Sequence, residues 1–336
     1  MKRMDVTIDV TDAAGLGEPA GIAMTAHLPD PGALASPAVV CFAKPGAGFS
    51  RGYFSADLPG PGNGSQGDWH AAAGWIFVSV DHLGTGDSTR HDPARLGYGT
   101  LTAASRAAEQ VVLDRLAKGT LDATLPALAD PVVLGIGQSM GGSLTVAQQG
   151  RYHCYDGIGV LGYSAVHSHP PAPPGAAPTV VPWTPRDTPP GQEPIVLNAA
   201  RLDAARRSAP PPDIASAANR WLFHYDDVDT DRVRQGPWTA STYPMGVIAS
   251  CLTPGVIAPE AAAVEVPVLV ALGERDVSAD PKGEPRAYLS AASVDLYVCP
   301  RMGHMHNFAT TRELLWHRIQ TWAAWVRAAA VATRAD

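Results

Sequence analysis

The stretch Pro131–Gly150, PVVLGIGQSMGGSLTVAQQG, decides how this chain reads. Pro131 to Ile136 is a short apolar run of the kind that forms a buried strand, and Gly141 to Arg151 reads as a helix. Between them lies Gly137-Gln138-Ser139-Met140-Gly141, a serine with glycine two positions away on either side. Glycine lets one backbone cross another closely, because it has no Cβ to collide. A sharp strand-to-helix turn at this point would present the Ser139 hydroxyl at the carboxyl end of the strand and put the Met140 amide at the helix start. The pattern alone does not settle the matter. The chain has 33 glycines in 336 residues, and a turn serving only to pack a helix would look the same. A reactive serine needs a base, and the base needs an orienting carboxylate.

Both are found downstream, each just after a strand-like run. VPVLVAL (Val266–Leu272) leads into Gly273-Glu274-Arg275-Asp276, and VDLYVC (Val294–Cys299) leads into Pro300-Arg301-Met302-Gly303-His304. Asp276 is therefore the expected carboxylate and His304 the expected base, with Glu274 and His306 as the neighbouring alternatives. Further strands are predicted at Val6–Val10, Gly21–His27, Ala38–Ala43, Gly74–Val80 and Gly157–Tyr163. A helix is predicted over Ala103–Ala117 with Ala107, Val111, Val112 and Leu116 on one face. Another follows a Thr310-x-x-Glu313 capping box, with Leu314, Leu315, Ile319, Trp322, Trp325 and Val326 as its apolar stripe. Strands that alternate with helices imply an α/β protein, a mostly parallel sheet covered on both faces. In such a sheet Ser139, Asp276 and His304 all leave strands at the same end.

The order Ser139, Asp276, His304, with this turn, resembles the α/β-hydrolase superfamily. The resemblance covers residues 1–166 and 260–336, which it identifies as the hydrolase core. AVVCFAKPGAGFSRGYF resembles the family's strand and oxyanion loop, with Pro45-Gly46 where many members have His-Gly. The resemblance makes Ala47 and Met140 the expected oxyanion donors through their amides, with Gly46 as the fallback. VDHLGTGDS (Val80–Ser88) resembles a structural turn of the family, so Asp81 is not expected to react. The Gly303-His304 pair favours His304 over His306, and the Gly-x-x-Asp placement favours Asp276 over Glu274.

Residues 167–259 have a different texture. They are dense in proline, as in HPPAPPGAAP and TPPGQEP, yet carry many aromatics. Proline breaks regular elements, but so much large apolar surface argues against a disordered linker. The expectation is a partly helical cap inserted in the hydrolase core. Most of its aromatics would form the cap's own core, while Trp183, Trp221, Phe223 and Trp238 are the candidates for a substrate wall.

The resemblance implies a serine hydrolase that cleaves a carboxylic ester or lactone through an acyl-enzyme. Carbon–carbon bond hydrolysis of a diketone-like substrate is the alternative on the same residues, and a non-catalytic binding protein is the alternative on the same fold. Epoxide and haloalkane chemistry are disfavoured, since Ser139 stands where those enzymes carry an aspartate. No cofactor is expected. His167-x-His169 and His304-x-His306 lack a third ligand, so no metal is expected either. The acidic run Asp226, Asp227, Asp229 and Asp231 is expected to cap a helix or face solvent. A net charge of -7 without a basic stripe argues against nucleic acid as a partner. The expected partner is a small-molecule substrate, and a homodimer is the assembly to test. Four cysteines without a C-x-x-C pair, no apolar run of spanning length and no leader-like start point to a cytoplasmic protein that does not enter a membrane.

Overall fold

The computed structural model describes residues 1–59, 64–176, 183–186, 217–233, 236–240, 242 and 244–334. Eight strands form one sheet in the order β1-β2-β4-β3-β5-β6-β7-β8. They are β1 (Lys2–Asp9), β2 (Gly21–Leu28), β3 (Val39–Lys44), β4 (Ile76–Val80), β5 (Val132–Gln138), β6 (Gly157–Leu161), β7 (Val268–Gly273) and β8 (Val294–Cys299). From β4 to β8 every neighbouring pair is parallel. At the other edge, β1 pairs antiparallel with β2, and β2 with β4. The central strands β3, β4, β5, β6 and β7 are buried almost throughout, as expected for strands covered on both faces.

Two apolar clusters pack on opposite faces of the sheet. One gathers Val40, Phe42, Met140, Val160, Val270 and the Leu101–Leu116 face of the Tyr98–Ala117 helix. The other gathers Cys41, Phe77, Leu134, Leu269, Ile319 and Trp322. Alternation along each strand sends successive side chains to these two clusters.

Three local expectations need correction. In the Tyr98–Ala117 helix the buried face runs through Leu101, Ala104, Ser105, Ala108, Glu109, Val112 and Leu116, with Ala107 and Val111 only half-buried. Glu109 turns the face inward because it pairs with the buried Lys44, and a charged residue reads as solvent-facing in sequence. The last helix runs Arg312–Arg334, so Thr310 lies outside it. The Thr310 hydroxyl donates to Asp227 Oδ2 at 2.7 Å and forms no part of a capping box. In that helix Leu315, Trp316, Ile319, Trp322, Ala323 and Val326 are buried, whereas Leu314 and Trp325 point outward.

Between β6 and β7 the described residues form four short helices, Ala217–Phe223, Thr230–Val233, Met245–Cys251 and Ala258–Ala262. The expected features at 177–182 and 187–216 lie outside the described residues. Among the described residues no helix is long and apolar enough to cross a membrane.

Candidate active site

β5 ends at Gln138 and the Met140–Tyr152 helix starts two residues later. Ser139 alone makes the turn, at φ 54° and ψ -120°, a conformation that side-chain-bearing residues rarely adopt. The two flanking glycines are needed for contact reasons. A Cβ on Gly137 would overlap the Gly141 carbonyl, and one on Gly141 would overlap the carbonyl of Lys44 and stand 2.6 Å from that of Pro45. The turn is thus wedged against the end of β3. The Ser139 amide donates to Leu161 O at 2.8 Å, which ties it to the end of β6 as well.

The loops after β7 and β8 bring Asp276 and His304 to this turn. His304 Nε2 lies 3.0 Å from Ser139 Oγ, and His304 Nδ1 lies 2.6 Å from Asp276 Oδ1. Ser139 is half-buried, while His304 and Asp276 are buried. Asp276 also accepts from the amides of Gly273 and Val277, both at 2.8 Å, and from His306 Nε2 at 2.7 Å. Burial alone would raise the Asp276 carboxyl. The attraction and hydrogen bonds of His304 and His306 outweigh it and hold the group well below the usual carboxylate range. An ionised Asp276 accepts from His304 Nδ1–H, which leaves Nε2 as the lone pair facing the Ser139 hydroxyl.

Backbone bonds hold His304 in place. Its amide donates to Leu222 O at 2.8 Å, that of Met305 donates to Phe223 O at 2.9 Å, and Gln138 Nε2 donates to His304 O at 2.9 Å. Gln138 was not singled out in the sequence, although it sits inside the quoted turn. Its side chain joins the serine strand to the histidine loop. His82 is a second residue of this kind. It is buried, and its Nε2–H donates to Pro45 O at 2.9 Å, steadying the loop beside Ser139. Burial pushes His82 down to about 4 despite that bond, with Lys44 adding to the effect. Sequence gave no signal for either beyond proximity to the motifs.

The oxyanion candidates lie around Ser139. Met140 is the first residue of the helix, and a Cβ on Gly46 would stand 3.1 Å from Ser139 Cβ. Ala47 follows Gly46 and is half-buried. The four aromatics from the inserted segment take different places. The Phe223 ring lies 5.8 Å from the His304 ring. Trp183 sits 6.1 Å from His167, and Trp221 covers the Arg275 guanidinium at 4.9 Å. Of the four, Trp238 alone is buried. It is buried against Phe308 at 5.5 Å, and its indole N–H donates to Val233 O. It serves there as an anchor, because the segment around it pairs with the loop after β3. The Ser50 amide donates to Trp238 O, the Ala240 amide donates to Gly48 O, and Phe49 bridges Thr239.

The acidic run also does more than face solvent. Asp226 pairs with Arg275 at 2.9 Å and Asp227 with Arg301 at 2.7 Å, so it clamps the inserted segment to the loops that carry Asp276 and His304. A cleft of about 520 Å³ lined by Arg3, Asp5, Arg51, Asp87 and Pro237 among others is a separate feature, since Ser139, Asp276 and His304 do not line it. Its arginines are spent on the carboxylates beside them. Among the described residues no three His, Cys, Asp or Glu side chains gather as a metal site would require.

The sequence pattern of the alpha/beta hydrolase family matches residues 39–315, most of the chain. The chain belongs to that family. None of the curated proteins is similar to it in sequence. Among solved structures it is similar to a bromoperoxidase from Bacillus anthracis, at 15% identity over 96% of this chain and 100% of that one, with a TM-score of 0.58. It is also similar to a proline iminopeptidase from Mycobacterium smegmatis, at 14% identity over 97% and 100%, with a TM-score of 0.58. The enol-lactonase from Burkholderia xenovorans LB400 is 13% identical over 91% and 97%, with a TM-score of 0.55. At these identities the likeness is one of fold, and the family supports a hydrolase without naming its substrate.

Proposed function

We propose that the chain is a serine hydrolase that cleaves a carboxylic ester or lactone of a small apolar or aromatic substrate through an acyl-enzyme. The observation that carries this reading is the run of contacts from Ser139 Oγ to His304 Nε2 and from His304 Nδ1 to Asp276, starting at a serine held at positive φ. His304 takes the Ser139 proton as Oγ attacks the acyl carbon. Asp276 holds the imidazole tautomer and stabilises the imidazolium. The amides of Met140 and Ala47, or Gly46 in its place, hold the developing oxyanion. The proton on His304 passes to the leaving alkoxide. A water then gives its proton to His304, attacks the acyl group and regenerates Ser139.

Residues 167–259 act as the cap in this proposal, with the Phe223 ring 5.8 Å from the His304 ring. The coupling of Gly48–Ser50 to Trp238–Ala240 supports that role, because it links the inserted segment to the oxyanion loop. Esters are favoured over amides because the alkoxide leaves with less assistance. The test is turnover of p-nitrophenyl butyrate and dihydrocoumarin by the wild-type chain and by Ser139→Ala. The wild type is expected to turn over at least one of them and Ser139→Ala to fall at least about a thousandfold, in line with loss of a triad nucleophile. Undiminished turnover by Ser139→Ala would overturn the proposal.

A further inference from the structure

We infer that His306 is a positioning residue that divides the Asp276 carboxylate between two imidazoles and moderates its pull on His304. The inference rests on the role proposed above for Ser139, His304 and Asp276. An ionised carboxylate has about four acceptor positions, two on each oxygen. On Asp276 all four are taken. Oδ1 accepts from Val277 N at 2.8 Å and His304 Nδ1 at 2.6 Å, and Oδ2 accepts from Gly273 N at 2.8 Å and His306 Nε2 at 2.7 Å. The carboxylate therefore cannot rotate about its Cβ–Cγ bond without breaking bonds on both oxygens. Its orientation toward His304 depends in part on His306.

The tautomer of His306 follows from the same contacts. Asp276 only accepts, so the proton of His306 is on Nε2. Nδ1 of His306 is buried and has no hydrogen-bond partner among the described residues. A second proton there would be a buried donor without an acceptor, which is costly. His306 thus offers Asp276 one fixed donor, its Nε2–H. That donor draws on the same charge that His304 uses, so each imidazole weakens the other's bond.

The ring cannot easily move aside. A Cβ on Gly162, at φ 59°, would stand 3.2 Å from His306 Nε2 and 3.3 Å from His304 Nδ1, so both rings lie over one stretch of bare backbone. The next residue, Asn307, is fixed by its amide to the Tyr53 hydroxyl, its Nδ2 to Tyr53 O, and its Oδ1 to the Trp316 indole N–H, at 3.0, 3.0 and 2.9 Å. The titratable groups that face His306 are Asp276 and His304, with Tyr53 from the Gly52–Ser55 helix beyond them.

The test compares wild type, His306→Gln, which keeps a neutral N–H donor, and His306→Leu, which has none. Two-bond ¹H–¹⁵N correlations of the imidazoles report the tautomer of His306 and the titration of His304. The rate of inactivation by a fluorophosphonate, followed against pH, reports the reactivity of Ser139. Wild-type His306 is expected in the Nε2–H form. His306→Leu is expected to slow inactivation about tenfold or more. It should also move the acidic limb of the profile and the His304 titration to higher pH, because a less satisfied Asp276 attracts the His304 proton more strongly. His306→Gln should restore both. An Nδ1–H tautomer in the wild type overturns the inference. So does an unshifted His304 titration in His306→Leu, and so does an equal loss in both variants without a shift, which would make His306 a packing residue only. Should the leucine variant fail to fold, His306→Asn, whose amide ends short of Asp276, replaces it. If the wild type is not inactivated at all, the proposed serine chemistry fails, and the tautomer and titration still decide the role of His306.

Discussion

Replacing Gly141 with alanine tests the turn by its contacts alone. The new methyl would stand 2.6 Å from the Pro45 carbonyl oxygen and closer still to that of Lys44. Real Cβ contacts essentially never fall under 3.0 Å, so the turn and the end of β3 must separate by at least about 0.8 Å to clear the Lys44 oxygen, the nearer of the two. Both obstacles are backbone atoms and no side-chain rotation relieves them. Overpacking of this kind costs about 1–3 kcal/mol. In a chain of this length that lowers the melting temperature by about 1–4 °C. The effect on turnover is expected to be much larger, because the separation parts Ser139 from Gly46 and Ala47 across the proposed oxyanion site. Misplacement by a fraction of an ångström to one ångström costs about tenfold to a hundredfold in rate. The assay is thermal unfolding together with kcat for p-nitrophenyl butyrate. Gly99→Ala is the control, since a Cβ there meets only Arg151 Nη1, at 3.8 Å. It is expected to keep full activity and stability. A Gly141→Ala protein with wild-type kcat would refute the argument that this glycine is required by the approach of β3.

Three further outcomes are expected. Stability should fall on mild acidification. His70 is pushed down to about 3 by burial, with His317 adding to it, and His82 to about 4, against an ordinary histidine value of 6.5. Both are kept neutral by folding, so their contribution is full above pH 6.5 and is lost as pH falls below it, by about 2 kcal/mol each between pH 6.5 and 5. Urea unfolding at pH 7 and pH 5 measures the drop, and His70→Phe, between Trp75 and Phe77, should remove about half of it; an unchanged drop would contradict this. Glu109→Ala should cost about 3–5 kcal/mol by leaving the Lys44 ammonium buried without its carboxylate, which is 2.6 Å away. A urea midpoint equal to that of the wild type would show that Lys44 does not depend on this partner. Trp238→Ala should cost about 3–5 kcal/mol as a large core truncation. It should lower kcat through the Phe49–Thr239 bridge with KM little changed; a raised KM at constant kcat would make Trp238 a substrate contact instead.

The strands and the turn at Ser139 were legible because their signals are local. An apolar run of five to eight residues marks a strand; β3, β5 and β7 run into glycine or a charge and are buried on both faces, while β8, at the sheet edge, is only half-buried. The candidate site was legible because Ser139, Asp276 and His304 each follow such a run, and a parallel sheet brings the ends of its strands together. Buried polar residues were harder to see. Glu109 and Lys44 look solvent-facing until their pairing is known, and this turned the predicted face of the Tyr98–Ala117 helix. Gln138, His82 and His306 bond to carbonyls or a carboxylate that are distant in sequence, so composition carries no trace of their partners. The inserted segment was least legible. Its prolines suppress periodicity, and the roles of Trp221, Phe223 and Trp238 depend on Arg275, His304 and Phe308, which lie far along the chain.

The central claim is that Ser139 is a nucleophile activated by His304. Treatment with a fluorophosphonate, followed by intact-mass measurement and peptide mapping, tests it without knowledge of the substrate. One adduct per chain is expected, on Ser139, absent from Ser139→Ala and formed at least about a hundredfold more slowly in His304→Ala. No adduct on the folded wild-type chain, or an adduct on another residue that persists in Ser139→Ala, would contradict it.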